Sequence, residues 1–196
     1  RNEVDTDKKE EEKEEGAPYT AHAKAVDSLS FFPNFKMVTA NIDGIGTDAQ
    51  KKMKTIRYLD YLLSRFDIAC ITEARAHDLE AIRHSLKGCA LIQCLVDKSK
   101  KAEAGVFIAV RQQVLEQYDI DSVYRSNTLY GKGRIVSITL KPKTGSKTAH
   151  STSRITCAYI KSGDSADDVK EKLAQLNEIF QINKTTDFEF IGGDMN

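Results

Sequence analysis

Several segments of this sequence are apolar at nearly every position, and they constrain the fold more than any other feature. Clear examples are residues 90–96 (ALIQCLV), 104–110 (AGVFIAV) and 154–160 (RITCAYI). A strand of this composition has no polar face to present to water, so its sheet must be covered on both sides. Such sheets occur in layered α/β folds, in which helices or a second sheet pack on each face.

Helix-like segments alternate with these strands near both ends of the chain. The sequence predicts a helix of about 16 residues after a Thr-x-x-Gln capping box at 47–50, a short helix over 76–87 that ends at Gly88, and a long helix over about 165–183. The stretch 114–124 stays open between strand and irregular structure. This order predicts a layered α/β sandwich with two mixed β-sheets flanked by helices, incomplete at its C-terminus. The apolar positions at helical spacing are Met53, Ile56, Leu59, Leu63 and Phe66, then Val169, Leu173, Leu176 and Phe180, and the predicted strands are 35–41, 67–72, 90–96, 104–110, 133–140, 154–160 and 188–191.

The first 15 residues differ from the rest of the chain in charge. They hold eight acids and four bases with no apolar face, so we expect residues 1–15 to be a disordered tail. Residues 16–34 are predicted to be a linker, and residues 35–196 a single domain that is truncated at its end. Because the whole chain has a net charge of zero, the body outside the tail carries +4. A mildly basic body suits a polyanionic substrate such as nucleic acid.

Hydropathy and cysteine usage exclude other classes of protein. No run of sequence approaches the roughly 20 apolar residues that cross a bilayer, so we expect no membrane partner. The cysteines lack the second pair at ligand spacing that a zinc site requires. We expect buried free thiols in a reducing, intracellular compartment. The four cysteines are Cys70, Cys89, Cys94 and Cys157.

Polar side chains gather at or just after the ends of four predicted strands. In α/β sheets the crevice outside the carboxyl ends of strands is the usual ligand site, so these side chains are expected to meet. Asp43, Glu73 and Asp194 are hard oxygen ligands, which suit Mg²⁺ better than zinc. Phosphodiester hydrolysis needs charge neutralisation on the phosphate, a group that orients or deprotonates water, and donors to the non-bridging oxygens. The full set is Asn41, Asp43, Glu73, Arg75, Tyr159, Asp194 and Asn196.

Each of these residues has a simpler explanation when it is considered alone. The segment 41–44 fits an ordinary turn, and Asp194 could close a Gly-Gly-Asp turn. Glu73 fits a neighbour of a helix N-cap, Tyr159 a core aromatic, and Arg75 a solvated surface charge. The functional interpretation is favoured only because all of them recur together at strand ends.

Four segments in order resemble the motifs of the endonuclease/exonuclease/phosphatase superfamily: Asn41-Ile-Asp-Gly44, Ile71-Thr-Glu-Ala-Arg75, Ala158-Tyr159 and Gly192-Gly-Asp-Met-Asn196. Within that superfamily the pattern is most similar to abasic-site endonucleases and to the endonuclease domains of non-LTR retrotransposons. The resemblance covers residues 35–196. It implies a phosphodiesterase that depends on Mg²⁺, with Mn²⁺ as an alternative.

The resemblance also implies a role for each matching residue. Glu73 would be the principal metal ligand, and Asn41 and Asp43 would complete or support the metal and phosphate site. Tyr159 would contact the scissile phosphate. Asp194 would orient or activate the attacking water.

Three further positions would contact the phosphate or the water. Arg75 matches a basic residue beside the metal site, and Asn196 would help to position the water and the phosphate. Family members that cut DNA often continue the tyrosine strand with Pro-Asn, whereas this chain continues to Ser162. A shorter hydroxyl would therefore replace an amide as a phosphate contact.

The closing Ser-Asp-His motif of the family lies beyond Gly-Asp-x-Asn and has no counterpart in this sequence. On that ground we expect the 196-residue chain itself to have little or no activity. The predicted function is a Mg²⁺-dependent phosphodiester hydrolase, a DNA-nicking endonuclease of the abasic-site or retroelement type. The alternatives are a phosphatase or phospholipase of the same superfamily, and an inactive retroelement remnant. We expect DNA as the partner, no obligate protein partner, and an intracellular, nuclear location.

Overall fold

Eight strands and four helices make up the part of the chain that the computed structural model describes. The described residues are 35–46, 48–96, 104–127, 132–146, 151–161, 163–182 and 186–195. In chain order the elements are β1 (Met37–Asn41), α1 (Ala49–Arg65), β2 (Ile68–Thr72), α2 (Glu80–Arg83), β3 (Cys89–Cys94), β4 (Val106–Arg111), α3 (Gln112–Leu115), β5 (Tyr118–Arg125), β6 (Ile135–Pro142), β7 (Ser153–Ile160), α4 (Ala166–Ile182) and β8 (Phe188–Met195).

The strands form two four-stranded sheets, and both sheets are mixed. The first has the order β1-β2-β4-β3, in which β1 and β2 are parallel and the other pairs are antiparallel. The second has the order β5-β6-β7-β8, in which only β7 and β8 are parallel. The predicted α/β sandwich with two mixed sheets is therefore confirmed.

The main core lies between the two sheets. Ile68 and Val106 of the first sheet and Ile138 and Ile155 of the second belong to one cluster of buried side chains. Every residue of β2 and of β7 is buried, as the composition of these strands predicts. The sheets thus cover each other's inner faces, and the helices cover the outer faces.

Helices α1 and α2 cover the outer face of the first sheet. Leu59 of α1 and Ile82 of α2 belong to the same buried cluster as Ile71 and Phe107 of the sheet. On the other side of the molecule, α4 packs through Leu176 and Ile179 on β6 and β7 in a smaller cluster. These two layers complete the sandwich.

Helix α1 begins one residue later than the capping-box pattern predicts. Asp48 is the N-cap, and its Oδ1 accepts a hydrogen bond from the backbone N–H of Lys51 at 2.7 Å. The predicted cap, Thr47, lies outside the described residues. Met53 is 50% exposed although it was assigned to the apolar face. It lies about 120° around the helix from Leu59, because six residues at 100° each overshoot one full turn.

The short helix predicted over 76–87 is wrong in length, since only Glu80–Arg83 is helical. The apolar spacing was nevertheless meaningful, because Leu79 and Leu86 are buried. The chain after α2 continues through a turn, in which the Ser85 N–H donates to the Ile82 carbonyl. The positive φ of Gly88, +79°, then ends the segment.

The structure defines one segment that the sequence left open and corrects two others. The open stretch 114–124 ends α3 and then forms β5. Strand β8 extends to Met195, because Gly192 and Gly193 continue the parallel pairing with β7. In α4, Leu173 is 53% exposed, and the buried positions include Lys172, about 100° away around the helix.

Three of the four cysteines are buried, as the sequence predicts. Cys70, Cys94 and Cys157 are buried, Cys89 is half-buried, and all four are free. No helix among the described residues is long and apolar enough to cross a membrane.

Candidate active site

The predicted site residues come from both sheets and meet where the parallel pairs lie against each other. In the first sheet the β1–β2 register places Asn41 opposite Thr72, so Asn41 stands beside Glu73, the next residue after β2. In the second sheet the β7–β8 register places Tyr159 opposite Asp194. Tyr159 lies near the end of β7, as predicted, whereas Asp194 lies within β8 rather than beyond its end, which corrects the predicted placement.

Asn41 joins the two sheets through its side-chain amide. Its Nδ2 donates to Oε1 of Glu73 and to Oδ2 of Asp194, each at 2.9 Å. Its Oδ1 accepts the backbone N–H of Asp43 at 3.0 Å, which fixes the amide orientation. One carboxamide thus holds two carboxylates from different sheets close together.

Glu73 is the most highly connected residue of the site. Besides the Asn41 bond, its Oε1 accepts the phenolic O–H of Tyr159 at 2.8 Å. Its Oε2 forms an ion pair with the Arg75 guanidinium. Glu73 is buried, so these donors supply the solvation that water would otherwise give to the carboxylate.

The Arg75 guanidinium also pairs with Asp43, whose Oδ1 lies 2.8 Å from its Nη1. The Asp43 side chain is 72% exposed and the Arg75 side chain is 45% exposed, so this pair forms the solvent-facing rim of the site. An exposed pair adds little stability, but it places one positive and one negative group beside the buried carboxylate.

The backbone of this region adopts a conformation that side chains other than glycine seldom adopt. Among the described residues, the non-glycine residues with positive φ are Asp43 (47°), Glu73 (54°) and Arg75 (45°). Two backbone bonds hold the loop: Gly44 N–H donates to the Glu73 carbonyl at 2.7 Å, and Arg75 N–H donates to the Ala104 carbonyl at 3.0 Å. Such strain clusters at functional sites, and all three residues had been singled out from the sequence.

The two glycines before Asp194 allow β8 to approach its neighbours closely. A Cβ on Gly192 would lie 2.9 Å from Cβ of Cys70 in the facing sheet. A Cβ on Gly193, whose φ is +139°, would lie 1.8 Å from the carbonyl oxygen of Ala158. No larger residue fits at either position without movement, so these glycines allow Asp194 to reach the site.

The hydrogen bonds determine the protonation states of Glu73 and Tyr159. Burial raises the pKa of the Glu73 carboxyl, but the hydrogen bonds from its three neighbours outweigh that effect, and its net pKa is lowered. Burial and the adjacent Glu73 carboxylate raise the pKa of Tyr159 to about 12. At neutral pH the carboxyl is therefore ionised, and the phenol keeps the proton that it donates.

The donor set fits a hard divalent cation. Within the described ranges, no group of three or more His, Cys, Asp or Glu side chains is arranged to hold a metal by itself. Mg²⁺ does not require such a group, since proteins usually hold it with one or two carboxylates while water and substrate phosphate fill the other positions. Glu73 and Asp194, bridged by Asn41, provide two carboxylates of this kind.

The structure brings six of the predicted residues into one connected group, and two predicted residues cannot be placed. The two are Ser162 and Asn196, which lie outside the described residues. The six are Asn41, Asp43, Glu73, Arg75, Tyr159 and Asp194.

One neighbour of the site was not predicted from the sequence. The Arg134 guanidinium lies over the Tyr159 ring, 5.4 Å from its centroid, and pairs with Asp164 at 3.3 Å. The contact follows from the pairing of β6 with β7. This pairing places Ile135 opposite Ala158 and so brings Arg134 next to Tyr159.

Comparisons with known proteins found similarity at the level of structure. No profile of a known protein family matches the sequence, and no curated protein matches it either. Humanized TDP2 of D. rerio has 14% identity over 80% of this chain and 60% of its own, with a TM-score of 0.53. D. rerio TDP2 in complex with a single-strand DNA product has 14% identity over 80% and 58%, with a TM-score of 0.52.

A third structure carries the name of the superfamily itself. The endonuclease/exonuclease/phosphatase from Bacteroides vulgatus has 13% identity over 74% of this chain and 60% of its own, with a TM-score of 0.54. The chain thus spans 58–60% of the length of these three structures. The described part of the chain therefore shares its fold with these three structures.

Proposed function

We propose that this protein is a metal-dependent phosphodiesterase that nicks DNA. The observation that carries the proposal is the hydrogen-bonded group at the meeting of the two sheets. Asn41 bridges Glu73 and Asp194 at 2.9 Å each, and Tyr159 donates to Glu73 at 2.8 Å. Two carboxylates, a carboxamide and a protonated phenol can fill the roles of metal ligand, water activation and phosphate contact that phosphodiester hydrolysis requires.

Glu73 would be the principal ligand of Mg²⁺, or of Mn²⁺ in its place. When bound, the cation neutralises charge on the scissile phosphate. Asn41 donates to both carboxylates, so we assign it the role of orienting them beside the metal. Asp43 would support the site from the rim, where Arg75 already holds it.

The remaining groups would act on the phosphate and the water. The Tyr159 O–H, which donates to Glu73 in this structure, would donate instead to a non-bridging oxygen when the phosphate is bound, and its raised pKa keeps it protonated for that task. Asp194 would accept the proton of a water that attacks phosphorus while the ester P–O bond on the opposite side breaks. Arg75, with Ser162 and Asn196 as predicted contacts, would hold the phosphate.

Two observations support DNA rather than a small phosphoester as the substrate. The body of the chain carries +4 outside its acidic first 15 residues. A structure with the same fold, D. rerio TDP2, has been solved with a single-strand DNA product. An intracellular, nuclear location belongs to the same proposal.

Nicking of supercoiled plasmid with Mg²⁺ tests the proposal. The assay uses the 196-residue chain and, in parallel, the longest open reading frame that contains it. We expect nicking by at least one of the two forms, and its loss on Glu73→Gln. The matched control is Glu116→Gln, the same change at an exposed position remote from the site in sequence and structure.

Each other outcome points to a named alternative. Hydrolysis of a soluble phosphoester without nicking would favour a phosphatase or phospholipase. No hydrolysis of either substrate by either form would favour an inactive remnant.

A further inference from the structure

The outward face of α1 carries a second cluster of charged and aromatic side chains, which lies outside the site described above. The helix carries five cations and one acid over its 17 residues. Its buried residues, Thr55, Leu59, Leu62 and Leu63, all face the first sheet. The cations that remain exposed are therefore presented to solvent on the other side.

Five exposed residues of α1 form one continuous stripe along that outer face. At 100° per residue they fall within an arc of about 100°, opposite the buried side chains. The stripe is about 16 Å long, since its ends are eleven residues apart at about 1.5 Å each. The single acid of the helix, Asp60, lies outside this arc. The stripe consists of Lys54, Arg57, Tyr58, Tyr61 and Arg65.

Cations and aromatic rings alternate along the stripe. Tyr61 is 51% exposed and Tyr58 is 36% exposed, which is unusual for such large rings on a helix that has an apolar sheet to pack against. The Arg65 guanidinium lies over the Tyr61 ring, 4.7 Å from its centroid. This contact holds the half-exposed ring beside a positive charge.

The stripe continues towards the candidate active site. One turn before Lys54, the Lys51 ammonium donates to the backbone carbonyl of Asp43 at 3.1 Å. Asp43 forms the rim of that site through its pair with Arg75. A chain of phosphates that lay along the stripe would therefore lead to the rim of the site.

We propose that this stripe binds single-stranded nucleic acid, with phosphates on the three cations and bases stacked on the two tyrosine rings. Positive charge that follows a backbone, interleaved with exposed aromatic rings, is the combination by which proteins hold unpaired strands. A duplex offers its phosphates but keeps its bases stacked internally, so it would use the cations and not the rings.

The geometry argues against the two other polyanions that a basic helix attracts. An anionic membrane needs an apolar face beside the basic one, but the apolar face of α1 is buried against the sheet. The carboxylates of an acidic peptide would pair with the cations, but they would not stack on the two tyrosine rings.

The test measures binding of the 196-residue chain to a fluorescein-labelled oligothymidine of about 12 nucleotides by fluorescence anisotropy. EDTA is present throughout, so the result does not depend on the metal site or on hydrolysis, and a failure of the proposed activity would not affect it. The first variant combines Lys54→Gln, Arg57→Gln and Arg65→Gln. Its control combines Lys87→Gln, Lys141→Gln and Lys170→Gln, which remove the same charge from exposed positions elsewhere.

We expect the stripe variant to bind at least about tenfold more weakly and its control to change less than about threefold. The slope of log affinity against log salt should fall by about 2, since each phosphate contact on a single strand contributes about 0.7. If the triple variant melts below the parent, the three single variants replace it, and each should lower the slope by about 0.7.

Tyr61→Leu separates stacking from charge. It should weaken binding about fivefold or more while leaving the salt slope unchanged, because base stacking on an aromatic ring is not ionic. The proposal is overturned if the parent chain does not bind the oligonucleotide, if both triple variants lose affinity equally, or if a duplex of the same length binds more tightly than the single strand.

Discussion

Three of the six side chains that form the candidate site belong to residues with left-handed backbone. Asp43, Glu73 and Arg75 each cost about 1–3 kcal/mol in that conformation. The sequence singled out these three residues, because their types and order resemble a family motif. It could not predict their φ angles, which depend on hydrogen bonds such as that from Arg75 N–H to the Ala104 carbonyl, 29 residues along the chain.

The lowered pKa of Glu73 leads to a prediction about the stability of the fold at acidic pH. A carboxyl whose pKa is lowered by folding stabilises the folded state above its ordinary value of 4.5. That contribution is lost as the pH falls through the folded-state pKa. We therefore expect the free energy of unfolding to drop below about pH 4.5, and Glu73→Gln to make the drop smaller. Urea titrations at pH 7 and pH 3.5 measure it, and an equal drop in parent and variant would contradict the assignment.

Gly193 should tolerate no side chain. Its Ala variant places Cβ 1.8 Å from a carbonyl oxygen at a φ of +139°. We expect Gly193→Ala to lower the free energy of unfolding by about 3 kcal/mol or more. Gly145→Ala is the matched control, because Gly145 also has positive φ but no atom within 4 Å of its Cβ. It should cost only about 1 kcal/mol, the cost of the backbone conformation alone. Similar losses in the two variants would show that the close approach of β7 and β8 is not rigid.

At the scale of elements, the pattern of apolar residues in the sequence predicted the strands better than it predicted the ends of the helices. Largely apolar strands such as β2 and β7 were recognised because a sheet that is covered on both faces buries nearly every position of its strands. Boundaries failed where a single interaction decides them. Asp48 rather than Thr47 caps α1, and β8 runs through two glycines that the sequence suggests should form a turn. Both outcomes depend on tertiary neighbours that a local pattern does not contain.

The packing of helix α4 leads to a further prediction about stability, because one of its buried side chains, that of Lys172, is charged. Lys172 is 1% exposed, and its ammonium pairs with Asp164, which also contacts Arg134 beside Tyr159. Removing Lys172 leaves the Asp164 carboxylate with its pair to Arg134 at 3.3 Å, so its charge is less well compensated. We expect Lys172→Met to lower the free energy of unfolding by about 3 kcal/mol.

The control for this prediction is Lys170→Met, on an exposed position of the same helix. It should change stability by less than about 0.5 kcal/mol. Equal stability of the Lys172 variant and the parent would mean that the ion pair contributes nothing to the packing of α4.

At the scale of the whole molecule, the site depends on the packing of one sheet against the other. Asn41 and Glu73 come from the first sheet and Tyr159 and Asp194 from the second, and the bonds between them cross the interface. The sequence predicted the members of this group by their order along the chain. Only the packed sandwich places them together, so a bound cation should stabilise the fold as well as serve the chemistry.

The most direct test of the account is the binding of Mn²⁺ to the 196-residue chain at pH 7, measured from the electron paramagnetic resonance signal of free Mn²⁺. The account predicts a single site, at least tenfold weaker binding for Glu73→Gln, and unchanged binding for the Glu116→Gln control. Equal binding by the parent and the Glu73 variant, or no binding by the parent, would contradict the claim that this group of side chains holds a catalytic metal.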